Sequence, residues 1–279
     1  MMDFQKRSDI MKHRPIGVFD SGLGGLTVIR ELIRALPGED IIYLGDTGRV
    51  PYGSRSPETI EQYAREDENF LLSMGVKYII AACGTVSSVA AHTGSLLPVH
   101  FKGVVAPSAE AAARATRNGR IGVIGTAATV ASGAYTRELR LLDDGFSVFQ
   151  QACPLFVSLV EAGWVDPGDE ILQNTTKRYL TPLLAQNIDT LILGCTHYPI
   201  IAEAIGTVCG SPVRLINSGH AAATSAVKEL CDMQLLRDER DGGQIQFFVT
   251  DKTEGFQTVA SVLFGEDITA KTVKVELNT

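Results

Sequence analysis

The sequence predicts an α/β fold with two pseudo-symmetric domains, each a mostly parallel sheet flanked by helices. Short apolar runs alternate with amphipathic segments of helix length, which is the pattern of parallel strands joined by helices. The chain also repeats itself: residues 16–21 match residues 121–126 in pattern, and residues 78–85 match residues 190–197. The second segment of each repeat contains a cysteine, Cys83 or Cys195. A duplicated unit of this kind can place two thiols face to face across a pseudo-twofold axis.

In chain order, the apolar runs predict strands and the periodic segments between them predict helices. Strands are expected at residues 16–19, 40–44, 78–82, 103–105, 121–124, 147–150, 190–193, 213–216 and 244–249. Helices are expected at residues 26–35, 57–74, 108–117, 130–143, 156–162, 167–185, 221–230 and 253–263. We place domain changes near Pro107 and Ser218. Residues 1–106 with 218–279 then form the first domain, and residues 107–217 form the second.

The composition is that of an ordinary globular protein, with 45% hydrophobic and 20% charged residues. A net charge of −7 argues against a nucleic-acid partner, since phosphate binding is driven by clustered Lys and Arg. No apolar run approaches the length of a membrane span, and the polar first 14 residues resemble a short mobile tail rather than a signal peptide. Five cysteines without close pairing are typical of reduced thiols, which favours a cytoplasmic enzyme.

Polar segments occur where the predicted strands end, at Asp20-Ser21, Asp46-Thr47, Cys83-Gly84-Thr85, Thr126 and Cys195-Thr196-His197. In open α/β sheets, ligands bind beyond the carboxyl ends of the strands. The agreement between several strands therefore predicts one ligand site at this edge.

Cys83 and Cys195 each follow a strand and precede an expected helix start. A helix start favours the thiolate, so we expect each pKa to be lowered from the free value of about 8.5. A single cysteine in this position is more often a small buried apolar residue. Two cysteines at matched positions of a repeat, with Thr and His adjacent, favour a reactive role. Cys153, Cys209 and Cys231 lack this setting and are expected to be structural.

Residues 20–25 form a glycine-rich loop between a strand and a helix. Such a loop can bring backbone N–H groups to a phosphate or a carboxylate, and the absence of a suitably placed lysine favours a carboxylate. Asp20 is either the cap of the following helix or a group that orients a thiol. In the loop after the second strand, the Pro51-Tyr52-Gly53 step predicts a turn with exposed main chain.

Three further side chains are candidates in the second half of the chain. Thr126 and Thr129 either donate hydroxyls to the same anion or cap the helix that follows. His197, two residues from Cys195, suggests either a metal ligand or a general acid/base beside a thiol. One Cys-x-His pair without clustered ligands is weak evidence for a metal, so no metal is expected.

These segments resemble glutamate racemases of the cofactor-independent aspartate/glutamate racemase superfamily, and the likeness runs from about residue 15 to 265. The matching segments are residues 19–25, 46–53, 125–130, 153–157 and 194–199. The resemblance implies an active site between two α/β domains, where Cys83 and Cys195 exchange the α-proton of glutamate from opposite faces. It also implies that Asp20 assists Cys83, and that His197 and Glu161 assist Cys195. Substrate contacts implied by the resemblance are Asp20, Ser21, Tyr52, Gly53, Gly84, Thr85, Thr196 and His197, to which we add Thr126 and Thr129 from the pattern above.

Removing an α-proton requires a poised base, a dry cleft and stabilisation of the developing charge. Two bases fixed on opposite walls can invert the stereocentre without moving. No lysine setting for pyridoxal phosphate is evident, so no cofactor is expected. The resemblance further implies that D-glutamate is supplied to peptidoglycan. Glutamate is the expected small-molecule partner, a homodimer is the expected assembly, and neither a nucleic acid nor a membrane is expected as a partner.

One position departs from the family pattern. The family has Cys-Asn-Thr after the first cysteine, whereas this chain has Cys83-Gly84-Thr85, and residues 217–219 also differ slightly from the usual late motif. Loss of one charge-assisted hydrogen bond costs about 1.5–3 kcal/mol, or roughly ten- to hundredfold in binding or rate. Two alternatives therefore stay open. The first is that the chain is a racemase for aspartate or another acidic amino acid. The second is that it is a catalytically weak ligand-binding relative.

Overall fold

The computed structural model describes residues 10–239, 242–251, 254–265 and 272–277. These residues form two sheets in which every pair of neighbouring strands is parallel. The strands of the first sheet are β1 (Ile16–Asp20), β2 (Ile41–Gly45), β3 (Tyr78–Ala81), β4 (His100–Gly103), β9 (Ile245–Val249) and β10 (Thr272–Lys274). Those of the second sheet are β5 (Arg120–Gly125), β6 (Ser147–Ala152), β7 (Thr190–Leu193) and β8 (Arg214–Asn217). The predicted fold class, an α/β protein with two parallel sheets flanked by helices, is confirmed.

The two sheets share one strand order, β2-β1-β3-β4 in the first and β6-β5-β7-β8 in the second, and the first sheet adds β9 and β10 beyond β2. The register is also shared. Ile16 pairs with Tyr78 in the first sheet, and Ile121 pairs with Thr190 in the second. These are the corresponding positions of the sequence repeat. Cys83 and Cys195 therefore follow equivalent strands of two equivalent sheets.

Helices connect the strands and pack against both sheets. They are α1 (Leu26–Ala35), α2 (Pro57–Ser73), α3 (Gly84–Val89), α4 (Ala91–Gly94), α5 (Val105–Ala115), α6 (Ala127–Ser132), α7 (Ala134–Leu142), α8 (Pro154–Glu161), α9 (Glu170–Leu184), α10 (Ala202–Cys209), α11 (Ser218–Asp232) and α12 (Glu254–Phe264). Side-chain caps fix several of their starts: Ser56 accepts from Thr59 N before α2, and Asn217 accepts from Gly219 N before α11.

The largest apolar cluster runs from one half of the molecule into the other. It joins Leu26 and Ile29 of α1 to Phe156 of α8 and Leu193 of β7. Helix α11 packs on both α1 and α5, and α12 packs on both α1 and α8. The carboxyl ends of the two sheets are thereby held against each other.

Several expected elements differ from the observed ones. The strand expected at 103–105 is wrong, because β4 ends at Gly103 and Val105 already begins α5. A short apolar run fits a strand and a buried helix turn equally well. The single helix expected at 130–143 is two helices, α6 and α7, because Gly133 adopts a left-handed φ of 65° between them. The helix start expected after Cys83 is that of α3, although no bounds were predicted for this helix. Sequence reasoning missed α4, α10 and β10, and residue 253 of the last expected helix lies outside the described residues.

The expected N-terminal tail is only partly within the described residues. From Ile10 onward it is anchored, since the Lys12 carbonyl accepts a hydrogen bond from the buried Lys77 ammonium at 2.6 Å. The domain boundaries near Pro107 and Ser218 remain a proposal. Pro107 lies inside α5, and Ser218 is the first residue of α11. In the described part of the chain, no helix is both long and apolar enough to cross a membrane.

Candidate active site

A small cavity of about 30 Å³ lies where the carboxyl ends of the two sheets meet. Residues 21, 50–53 and 83–85 line it from the side of the first sheet, and residues 126, 157, 161 and 195–197 line it from the second. The structure therefore brings both cysteines, Cys83 and Cys195, to one shared cavity. Thr85, Thr126 and Glu161 line the same cavity. Val50, Pro51 and Val157 also line it; they lie in the segments that carry the family resemblance but were not predicted as site residues.

Asp20 and Thr129 lie just behind this wall. The buried Asp20 carboxylate accepts a hydrogen bond from Gly22 N at 3.0 Å, and Thr196 Oγ1 donates to it at 3.3 Å from across the cleft. Thr126 caps α6 by accepting from Thr129 N at 3.2 Å, and it donates to the Thr129 hydroxyl at 3.0 Å. Thr129 therefore orients Thr126, and its direct contact with a substrate stays a prediction.

Cys83 is held as a thiol. Its sulfur donates to Ser21 Oγ at 3.4 Å. Burial raises the pKa of Cys83 to about 12, and the nearby Asp20 carboxylate adds to the rise. This is the reverse of the lowered pKa expected from a helix start, because loss of hydration outweighs the backbone N–H groups here.

Cys195 lies in a row of three polar side chains. His197 Nδ1 is 3.7 Å from the Cys195 sulfur, and His197 Nε2 is 3.2 Å from Glu161 Oε1. Burial alone would lower the pKa of His197, but its hydrogen bonds to Cys195 and Glu161 raise that pKa to about 10. His197 is therefore a cation at neutral pH, and it places a positive charge beside the Cys195 sulfur. Among the described residues, no cluster of three or more His, Cys, Asp or Glu side chains is arranged to hold a metal ion.

Polar groups of the two halves contact each other directly around the cavity. The hydroxyls of Thr85 and Thr126 are 3.0 Å apart, and Thr27 Oγ1 donates to the Thr196 carbonyl at 3.2 Å. A cavity of about 30 Å³ holds roughly one or two water molecules. An amino acid enters such a site only if the two halves first move apart.

Gly84 allows a close backbone approach between the halves. A Cβ atom at this position would overlap the carbonyl oxygen of Gly194, which directly precedes Cys195. A Cβ on Gly53 would likewise lie 2.7 Å from Thr126 Cβ. The asparagine of the family pattern therefore cannot occupy position 84 in this closed arrangement, and position 84 offers its backbone alone.

Tyr52 lines the cavity, yet its hydroxyl is used elsewhere. It donates to Asp46 and lies 3.2 Å from Asp67 Oδ2 of α2. The ring and main chain of Tyr52, with Gly53, are what this loop presents to the cavity. Sequence reasoning missed Asp67. The signal that could have found it is its position, because Asp67 lies on the same face of an amphipathic helix as the apolar residues Ile60, Ala64 and Leu71.

Comparisons with known proteins agree with this geometry. Residues 16–226 match the family described as Asp/Glu/hydantoin racemase. A glutamate racemase from Geobacter metallireducens is 43% identical over 256 residues, which cover 91% of this chain and 94% of the relative. The crystal structure of a glutamate racemase isoform from Bacillus anthracis superposes with a TM-score of 0.90 at 37% identity and covers 95% of this chain and 98% of that one. A Francisella tularensis glutamate racemase in complex with D-glutamate gives a TM-score of 0.88 at 36% identity, covering 96% and 99%. The chain therefore belongs to the Asp/Glu/hydantoin racemase family, among its glutamate racemases.

Proposed function

We propose that this protein is an isomerase that interconverts L- and D-glutamate without a cofactor, by proton transfer at the α-carbon between two cysteines. The observation that carries the proposal is the shared cavity lined by Cys83 on one side and Cys195 on the other. The substrate assignment is supported by the glutamate racemases that resemble the chain over more than nine-tenths of its length. The D-glutamate formed is a precursor for peptidoglycan.

In one direction, the Cys195 thiolate removes the α-proton, and the electron pair of the broken C–H bond moves into the carboxylate as an enediolate. The Cys83 thiol then protonates the opposite face of the α-carbon, leaving Cys195 as a thiol and Cys83 as a thiolate. The reverse reaction exchanges the two roles. No net proton is gained or lost, and only the configuration of the α-carbon changes.

The neighbouring side chains support these two steps. His197, held by Glu161, supplies a positive charge beside Cys195. Asp20 and Ser21 lie on the side of Cys83, where the Ser21 hydroxyl accepts from the thiol. Hydroxyls of Thr85, Thr126 and Thr196, with the main chain of Tyr52-Gly53 and Gly84, bind the polar groups of the substrate once the halves separate.

The test is incubation of the purified protein with L-glutamate in deuterated water. We expect D-glutamate to form and deuterium to appear at the α-carbon, measured by circular dichroism and by NMR. Cys83→Ser and Cys195→Ser each lower the racemisation rate by about 10³-fold or more, because a serine hydroxyl is a much weaker acid than a thiol.

Cys231→Ser is the matched control, since Cys231 is exposed and is not part of the cavity lining. Racemisation that persists in the Cys83→Ser, Cys195→Ser double variant would contradict the two-thiol mechanism. A substrate panel in which aspartate is turned over faster than glutamate would contradict the substrate assignment. Binding of glutamate without any turnover would indicate the weak ligand-binding relative instead.

We further propose that two copies of the chain form a homodimer. The support is a pair of exposed apolar side chains on neighbouring helices, Leu155 of α8 and Ile171 of α9, which are 55% and 51% exposed. Contiguous exposed apolar patches mark protein–protein contacts, and the two helices that carry these side chains pack against each other.

A further inference from the structure

Behind the loop that carries Tyr52 and Gly53 lies a buried cluster of charged side chains outside the two-cysteine mechanism. Arg49 Nε donates to Asp46 Oδ2 at 2.5 Å, its Nη1 donates to Glu66, and its Nη2 donates to Asp67 Oδ1 at 3.4 Å. The Asp46 and Asp67 side chains are fully buried, and Arg49 is 23% exposed. The Arg49 guanidinium also stacks on the Tyr63 ring, 4.1 Å from its centre.

The charges of this cluster do not balance. Within the described residues, one guanidinium faces three carboxylates, and an excess of buried negative charge is costly. Neutral donors offset part of this, since Thr250 donates to Asp46 at 2.7 Å and Gln62 donates to Glu66 at 2.9 Å. A proton retained on one carboxyl would remove one of the excess charges.

The hydrogen-bond geometry favours Asp67 as the site of this proton. The Tyr52 hydroxyl has one hydrogen, and its oxygen lies within donating distance of both Asp46 and Asp67 Oδ2, the latter at 3.2 Å. That hydrogen can serve only one carboxyl fully, so a hydrogen on Asp67 would complete the second contact. Burial raises the pKa of Asp67 well above its ordinary value and the Asp46 charge adds to the rise, while Arg49 and Tyr52 oppose it. The titratable groups around Asp67 are Asp46, Arg49, Tyr52, Glu66 and, on β2, Tyr43.

We propose that Arg49 and a protonated Asp67 are positioning residues for the substrate, because they hold the main chain of Tyr52-Gly53 at the cavity wall. Arg49 links the loop to Glu66 and Asp67 of α2, and Asp67 fixes the Tyr52 ring from behind. Neither side chain lines the cavity, so both act through Tyr52-Gly53 rather than on the reacting atoms. The role in substrate binding rests on the proposed racemase function.

Two substitutions test the proposal. Arg49→Met leaves the carboxylates without their cation, so we expect the KM for glutamate to rise tenfold or more while kcat falls less than threefold. Arg49→Lys restores part of the loss. Asp67→Asn reproduces a protonated Asp67, because its carbonyl oxygen can accept from Arg49 and its amide can donate to Tyr52. Its KM at neutral pH therefore stays within threefold of the wild type.

The pH dependence separates this role from a merely structural one. As the pH rises, the wild type loses the Asp67 proton and its KM increases, whereas Asp67→Asn has no such proton. The ratio of wild-type to Asp67→Asn KM should therefore increase with pH. A constant ratio, or an Asp67→Asn variant as impaired as Arg49→Met, would overturn the retained proton.

Hydrogen exchange of the full-length protein gives a readout that needs no turnover. Peptides covering residues 46–54 should exchange faster in Arg49→Met and at the wild-type rate in Asp67→Asn. Arg55→Met is the matched control, since Arg55 follows in the same segment with an exposed side chain. Unchanged exchange and an unchanged KM in Arg49→Met would overturn the positioning role. A wild type that shows loop protection but no racemisation would refute the proposed function alone.

Discussion

The two cysteines of the cavity have unequal neighbours. Cys195 lies beside a protonated His197, whereas Cys83 donates its hydrogen to Ser21 and lies near the negative charge of Asp20. A cation favours the thiolate and a nearby anion favours the thiol. Cys83 is therefore held as a thiol, whereas the Cys195 sulfur lies beside a positive charge.

Glu161 helps to set the pH at which His197 loses its positive charge. Its contact with His197 is one of the two hydrogen bonds that raise the pKa of His197 to about 10. Because a raised histidine pKa keeps the cation at low pH and loses it as the pH rises through that value, Glu161→Gln should move the loss downward by about one pH unit or more. The alkaline limb of kcat/KM for glutamate should shift to lower pH by a similar amount.

Glu203→Gln serves as the control, since Glu203 is exposed on α10. If the alkaline limb of Glu161→Gln coincided with that of Glu203→Gln, the charge of Glu161 would have no part in holding the His197 proton.

At the scale of elements, the start of α3 approaches the segment that follows β7, where Gly84 meets the Gly194 carbonyl. Each of these two glycines is the chain neighbour of a cysteine, so the distance between them limits how closely the two sulfurs can approach each other. The sequence marked Gly84 as a substrate contact and as a side chain missing from the family pattern. The structure adds that a side chain there is sterically incompatible with the closed state.

Gly84→Ala should therefore hinder closure over the substrate. We expect kcat to fall tenfold or more, because a backbone carbonyl cannot move as a flexible side chain can, while the KM for glutamate changes less. Steady-state kinetics with L-glutamate would measure both constants.

Gly206→Ala is the matched control. Gly206 lies in α10, and its added methyl would make only an ordinary contact with Leu215 at 3.7 Å. A Gly84→Ala variant with the kcat of Gly206→Ala would show that the close approach is not required for turnover.

How much of this could be predicted from sequence varies from element to element. The strands that precede Cys83 and Cys195 were predicted because they are buried apolar runs followed by polar residues. The start of α5 was missed because Val104 and Val105 fit a strand as well as a helix. The Arg49 cluster was missed because its members are distant in sequence, and charges such as Asp67 are ordinarily assigned to the solvent-exposed face.

For the whole molecule, the repeat predicted from the sequence reappears as two sheets with one strand order and one register. What the sequence could not supply is the relation between the halves. The direct contacts from Thr27 to Thr196 and from Thr85 to Thr126 depend on how α1, α11 and α12 pack, and no local pattern encodes that packing.

The proposed assembly is also a property of the whole molecule. Light scattering after size exclusion should give twice the 30.0 kDa mass of one chain. Leu155→Arg combined with Ile171→Arg should give the single-chain mass, because two charges cannot be buried in an apolar contact. Leu141→Arg, at an exposed leucine of α7, should leave the mass unchanged. A wild type with the mass of one chain at micromolar concentration would contradict the dimer.

Thermodynamics limits the effect that the unequal surroundings of the two sulfurs can have on catalysis. Enantiomers have equal free energies in water, so the equilibrium constant of a racemisation is one. By the Haldane relation, kcat/KM must then be identical for L- and D-glutamate. His197 and Glu161 on one side, and Ser21 and Asp20 on the other, can make kcat and KM differ between the two directions only in compensating proportion. No substitution around either cysteine can turn this protein into a one-way catalyst.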